Sequence, residues 1–500
     1  MMPPPLTALL TDSLSILLQS PSSDDPLSQC PAPVLLLLGT HPQSLIRLAR
    51  SKLYAWPYAQ VPPCWRRLFV DASIVHAIQA IQLHLNEEHD ETCTSNESES
   101  KTTTTTRIAN VRLRKSNRVR EEGDWAQAIV SLLDMAIIMA GAERRRDMVE
   151  SILQALQQYL EGQHQVVYEP KSKRRKVDAL QLPYQDRFHT MCNESGVTLP
   201  LIRYPIITMS APSIWDFEHH LQARKGPLII KDALGHWPAL HGRPWGSPSY
   251  LMQRTFGGRR LVPVELGRSY TDEGWGQSIL PFGKFMKTYL KRRVEKPVSI
   301  NKDVSKQQNP PPTTVSNEVV TVGVETSDDE EPRVGYLAQH DLFSQIPSLR
   351  NDISIPDYCF TEPPPCPKAR TEGQRAESRL EEPLLNAWFG PAGTISPLHT
   401  DPYHNILCQV VGKKYIRLYD PDQTDKLYPR GTEGGVDMSN TSELDVEDDT
   451  NQRQGDFPLF HEAKYVETIL EEGQCLYIPV GWWHYVRSLT VSFSVSFWWN

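Results

Sequence analysis

The chain has 500 residues, 39% of them hydrophobic, with 52 basic against 60 acidic side chains and a net charge of −8. That length exceeds one compact core and predicts two or three domains. The negative balance argues against a molecule coated for nucleic acid, so no direct nucleic-acid site is expected and any site for an acidic partner is local.

The eight cysteines lie scattered, with no Cys-x-x-Cys pair, which argues against a zinc finger and fits a reducing compartment. The longest apolar run near the start, Val34 to Leu38, is too short to span a bilayer. The first residues lack the basic flank and cleavage site of a secretory leader. The chain is therefore expected to be soluble, intracellular and without membrane contact.

Residues 1–165 read as a helical interaction region that binds another protein. Leu6 to Leu18, Trp125 to Ala140 and Met148 to Leu160 are apolar at helical spacing. Asp124 is a candidate N-cap for the second of these. A Ser/Thr/Glu-rich tract near 87–106 is expected to be disordered. No fixed-period repeat supports a solenoid. Residues 166–198 form a basic linker. Within it Lys171, Lys173, Arg174, Arg175 and Lys176 make a run that predicts nuclear import, with additional cytoplasmic residence.

From Leu199 the texture turns β-rich. Polar or proline-rich insertions are expected near 292–333, 363–382 and 431–455. Asn405 to Val411 and Lys414 to Tyr419 read as strands on either side of Gly412, and Gln474 to Val480 as another. In Val491 to Phe497 apolar residues alternate with serine, which predicts one face on a core and one small, polar face. Short strands with turn signals predict a sandwich or barrel.

His399 and Asp401 are two apart, so a strand would present both to one pocket. His484, 83 residues after Asp401, is the candidate third ligand. Two histidines and one carboxylate are the facial set that suits non-haem iron(II) with open positions. Lys414 shares strand parity with Ile416 and Leu418, so it should point inward and need an anion. Lys413 should point outward. His404 is a competing ligand candidate of opposite parity.

The stretches Asn386-Ala-Trp-Phe-Gly-Pro391, Gly393-Thr-Ile-Ser-Pro-Leu-His-Thr-Asp401, Lys413-Lys-Tyr-Ile-Arg-Leu-Tyr419 and Ser492-Phe-Ser-Val-Ser-Phe-Trp-Trp499 together resemble the JmjC oxygenase family. Gly335 to His340, Asp352 to Tyr358 and Val262 to Glu265 match one subgroup of it. The resemblance covers roughly residues 200–500; the N-terminal half is similar only in being helical. It implies a double-stranded β-helix (cupin or jelly-roll) domain with flanking helices over 199–500. It further implies iron(II) on His399, Asp401 and His484, with 2-oxoglutarate and O2 as cosubstrates. Tyr336, Ser396, Asn405 and Lys414 would hold 2-oxoglutarate. Glu265, Gln339 and Trp388 would line the substrate pocket. The Tyr403-His404 pair departs from the subgroup's pattern at the pocket rim.

The resemblance implies a protein substrate with a basic side chain, in a histone, ribosomal or other chromatin protein. Arginine hydroxylation is the expected outcome, because Glu265 offers a carboxylate to a guanidinium and no aromatic cage for methyl-lysine is evident. Histone N-methyl-lysine demethylation is the alternative. A non-catalytic chromatin scaffold is the reading from another class; a complete ligand set and Lys414 argue against it.

Overall fold

The computed structural model describes residues 6–57, 60–96, 124–166, 186–188, 199–271, 274–290, 334–364, 379–433, 435–447 and 457–500. The basic run at 171–176 and the insertion at 292–333 lie outside these residues.

The N-terminal half is helical: α1 (Leu6–Leu17), α2 (Ala32–Leu36), α3 (Pro42–Tyr54), α4 (Pro63–Asn96), α5 (Trp125–Ala140) and α6 (Arg146–Val166). Their apolar faces close one core around α4, with Leu68, Phe69, Val75 and Ile78 against Leu133, Ile137 and Leu153. Pro63–Glu87 is long and apolar enough to cross a membrane, but most of it is buried here as the central core helix. Asp124 caps α5 as expected, accepting from the Gln127 backbone N–H at 3.2 Å. Gly141 ends the helix in the left-handed region, at φ 75°. The tract expected to be disordered from 87 instead continues α4 as far as Asn96. Those residues contain no proline or glycine to break a helix; residues beyond 96 are outside the described set until 124.

Fifteen strands are described in the C-terminal half. In chain order they are β1 (Ile207–Ser210), β2 (Leu228–Lys231), β3 (Leu261–Leu266), β4 (Gly276–Pro281), β5 (Gly335–His340), β6 (Leu384–Gly390), β7 (Ile395–His399) and β8 (His404–Val411). There follow β9 (Lys414–Tyr419), β10 (Thr432–Glu433), β11 (Val436–Asp437), β12 (Tyr465–Leu470), β13 (Cys475–Ile478), β14 (Trp483–Ser488) and β15 (Ser492–Trp499). A nine-stranded sheet runs β1-β2-β13-β8-β15-β6-β5-β3-β4, and a four-stranded sheet runs β12-β9-β14-β7. Pairing is antiparallel except between β1 and β2. Leu407 and Ile478 from the large sheet meet Ile416, Leu418 and Val486 from the small one. The two sheets thus enclose a common interior, the double-stranded β-helix of a cupin.

The strands flanking Gly412 belong to different sheets, so Gly412 is the corner between them. It sits at φ 74°, and a Cβ there would collide with the Val491 carbonyl and the Thr490 hydroxyl; only glycine turns this corner unstrained. β15 is buried on both faces. Phe493, Val495 and Phe497 pack outward under the helices that carry Phe217, Leu251 and Phe285. The serines face the interior, where Ser494 donates to Gln409 and Ser496 accepts from Trp388. The polar face is thus the lining of the barrel.

Candidate metal centre and cosubstrate pocket

β7 and β14 are neighbours, and His399 stands opposite His484 in their register. Asp401 is not in the strand, as its spacing suggested. β7 ends at His399, and Asp401 reaches back from the following turn. One Asp401 carboxylate oxygen lies 3.7 Å from His399 Nε2, the other 3.4 Å from His484 Nε2. All three donor atoms fall within 4.8 Å of one another, the only such set among the described residues. Each imidazole donates its Nδ1–H to a backbone carbonyl two residues back, Pro397 at 2.7 Å and Trp482 at 3.0 Å. That fixes each ring's orientation and turns both Nε2 atoms toward the carboxylate, as a metal site requires.

The electrostatics agree. Burial, assisted by the His484 charge, lowers the His399 pKa to about 4, keeping it a neutral ligand. Burial works against the Asp401 charge, but the hydrogen bond and charge of His484 outweigh it and hold the carboxyl below its usual range. His484 is raised in turn: burial opposes its charge, and Asp401 overcomes that. In the free site Asp401 thus favours a proton on His484, which a metal would displace. With that proton gone, two imidazole nitrogens and an ionised carboxylate are a donor set that fits iron(II).

Lys414 is 1% exposed. Its ammonium donates to the Tyr336 hydroxyl at 3.1 Å, and desolvation alone pulls its pKa down to about 7. Tyr336 also hydrogen-bonds Ser396. On the same interior face, the buried Asn405 side-chain oxygen has no partner. A buried cation with no counter-charge among the described residues is what a small dicarboxylate would complete, so Lys414 and Tyr336 fit 2-oxoglutarate. Asn405 would reach it only through its NH2 donors, since its oxygen and a carboxylate are both acceptors. Lys413 points outward, as its parity predicts, and pairs with Glu471 at 2.5 Å.

The pocket side is less uniform. Glu265 on β3 stands opposite Tyr336 on β5; burial raises its pKa, and a hydrogen bond from Trp275 works in the other direction. Trp388 is held by its indole N–H to Ser496 at 2.9 Å, with its ring 6.1 Å from that of Tyr336. Gln339 is exposed, at φ 45° in a bulge of β5. Such a conformation is uncommon for a non-glycine residue. His404 is no ligand. It faces out of the barrel, stacks on Tyr477 and hydrogen-bonds its hydroxyl at 2.9 Å, and burial lowers its pKa to about 4.

Two parts of the site were not read from the sequence. Tyr270 lies within electrostatic reach of both Asp401 and Glu265, and burial raises its pKa to about 12. With Trp275 it sits in the stretch after β3, bracketed by Gly267 and Gly276, so two aromatics between glycines were the available signal. The second part is the segment read as an insertion near 431–455. Its described portion forms β10 and β11 and then lies along the metal strand. Ser442 N–H donates to Leu398 O, and Thr400 N–H donates to Asn440 O, both at 2.8 Å.

A double-stranded β-helix with a His-Asp-His cluster at one end and a buried lysine behind it defines a cupin-type 2-oxoglutarate oxygenase. The cupin-like domain family matches residues 215–500. The chain is 36% identical to lysine-specific demethylase 8 of Danio rerio, over 75% of both proteins. It is 35% identical to lysine-specific demethylase JMJ30 of Arabidopsis thaliana, over 76% of both. To lysine-specific demethylase 8 of Xenopus tropicalis it is 39% identical, over 58% of this chain and 52% of that protein. The chain belongs to the cupin-like JmjC family, whose members use iron(II) and 2-oxoglutarate. Three quarters of 500 residues cannot fit within 199–500, so the likeness extends into the helical half.

Proposed function

We propose that this chain is a protein oxygenase acting on a cationic side chain, with iron on His399, Asp401 and His484 and 2-oxoglutarate on Lys414, Tyr336, Ser396 and Asn405. The observation that carries the reading is Lys414, a buried cation with no counter-charge among the described residues, in the same barrel as converging histidine and carboxylate ligands. Iron and 2-oxoglutarate, when bound, supply the oxidation of an unactivated C–H bond with release of succinate and CO2. The protein's share is positional. The carbonyls of Pro397 and Trp482 hold the imidazoles, Lys414 and Tyr336 orient the diacid, and Glu265 and Trp388 receive the substrate side chain.

The relatives' names favour N-methyl-lysine as that side chain over the arginine expected from sequence. The aromatic groups absent from the sequence reading also support it: Trp275 and Tyr270 neighbour the Glu265 carboxylate, and aromatics with a carboxylate suit a methylammonium. Arginine hydroxylation is the second reading, supported by Glu265 as a partner for guanidinium. The substrate would be a basic segment of a histone, ribosomal or other chromatin protein, met in the nucleus. Incubation of basic peptides containing dimethyl-lysine and arginine with iron and 2-oxoglutarate separates the readings by mass. Loss of a methyl group supports demethylation, gain of one oxygen supports hydroxylation, and neither with any peptide refutes both.

A further inference from the structure

We infer that Asp134, in the helical half, is a positioning residue for the substrate pocket, acting through the strands that carry Glu265 and Gln339. The inference rests on the proposed pocket. Leu261 opens β3 opposite Pro281 of β4, as a pair whose Leu261 N–H and carbonyl point away from β4. On the other edge β3 pairs with β5 only at Glu265 and Leu266. From Leu261 to Val264 the edge of β3 away from β4 therefore has no strand partner among the described residues, while its other edge is held to β4 and by the Phe282 N–H on the Arg260 carbonyl at 2.8 Å.

Side chains from outside the sheet take over. Asp134 on α5 is fully buried and accepts from the Leu261 N–H at 2.7 Å. It also accepts from the Arg260 guanidinium at 2.9 Å. Gln345 donates to the Leu261 carbonyl at 2.8 Å, so both backbone groups of Leu261 are held by side chains. Arg260 reaches on to the Gln345 carbonyl at 2.6 Å and to Glu150 of α6 at 3.6 Å. Gln345 closes the circuit with its amide oxygen on His340 Nε2 at 2.7 Å.

His340 ends β5 directly after Gln339, the residue held at φ 45°. One buried carboxylate of the helical half thus anchors the start of β3 and, through Arg260 and Gln345, the end of β5. These strands run antiparallel and place Glu265 opposite Tyr336. A shift of their outer ends would move the substrate carboxylate while leaving the ligands on β7 and β14, in the other sheet, in place.

The test uses the full chain with Asp134→Asn, which keeps the shape and removes the charge. Gln345→Met is a second variant should the first fail to fold. Two readouts are combined. Amide hydrogen exchange over 261–264 and 338–340, the anchored outer ends, should quicken about tenfold or more, with Tyr336, β7 and β14 unchanged. The KM for a basic peptide that the wild type turns over should rise about five- to tenfold, with the KM for 2-oxoglutarate and peptide-free succinate formation within about twofold. Unchanged exchange, or exchange rising uniformly across the molecule, overturns the inference. So does an unchanged peptide KM where Glu265→Gln raises it. If Glu265→Gln itself leaves peptide KM untouched, the pocket reading has failed, and the exchange pattern alone decides whether Asp134 fixes the strands.

Discussion

Replacing Lys414 with methionine should make the ligand-free protein more stable while crippling its use of 2-oxoglutarate. The side chain is 1% exposed, and desolvation lowers its pKa from 10.5 to about 7. The unfolded chain therefore binds this proton more tightly than the folded one. The resulting penalty is absent above about pH 10.5, grows as pH falls through the window, and is complete below about pH 7. At about 1.4 kcal/mol per pH unit it approaches roughly 4 kcal/mol at pH 7.5. The lost hydrogen bond to Tyr336 offsets about 1 kcal/mol of that. A net gain on the order of 2–3 kcal/mol should appear as a higher melting temperature at pH 7.5, shrinking toward pH 10. Titration of 2-oxoglutarate should show affinity falling about ten- to a hundredfold, the worth of a charge-assisted contact in a dry site. Iron binding should be unchanged. Lys413→Ala is the control: its partner Glu471 is at the surface, where a pair is worth under about 1 kcal/mol. If Lys414→Met melts lower, or if only Lys413→Ala weakens 2-oxoglutarate, the uncompensated cation is wrong and so is the strand register.

Asp401→Ala should abolish succinate formation and lower iron content at least about tenfold, with the circular dichroism spectrum intact, because Asp401 sits in a turn whose loss of one side chain leaves the β7 and β14 strands in place. Glu265→Gln should raise the peptide KM about tenfold or more, with the 2-oxoglutarate KM unchanged in a steady-state assay. Gly412→Ala should cost more than about 2 kcal/mol, read as a lower denaturation midpoint, since both the backbone conformation and the Val491 carbonyl oppose a Cβ. Alanines at Lys173 to Lys176 should move a fluorescent fusion out of the nucleus; unchanged nuclear signal would assign import to another segment.

Local periodicity carried much of this structure. The parity of Lys414, Ile416 and Leu418 placed the lysine inside the barrel, and His404, one step out of phase with Asn405, went to the opposite face. Asp124 and Trp125 marked a helix start that the fold keeps. What failed to show was set by distant partners. Alternation in β15 gave a small, polar face without saying where it points; its enclosure depends on strand β8, some 85 residues away. Asp401 acts from a turn, because β7 ends one residue after Leu398 and the chain must bend back toward His484. The segment near 431–455 looked like loop by composition, yet Asn440 and Ser442 supply backbone bonds that no composition announces.

The interior of the barrel breaks the ordinary rule for a core in a consistent way. Among the described residues, an ammonium without an anion and an amide oxygen without a donor lie on the barrel's interior face, and a carboxylate whose pKa burial raises stands opposite Tyr336. Each is destabilising in the free protein. The ammonium is complementary to a carboxylate and Glu265 to a cation, as the proposed diacid and substrate side chain require; the Asn405 oxygen, an acceptor, complements neither carboxylate. The apolar residues that surround them, Ile416, Leu418 and Val486 among others, exclude water and so raise both the penalty in the empty barrel and the gain on filling it. Sites where local rules fail in one direction are where binding energy is stored. On this argument a barrel relieved of its unpaired groups would be more stable and would lose its hold on both substrates.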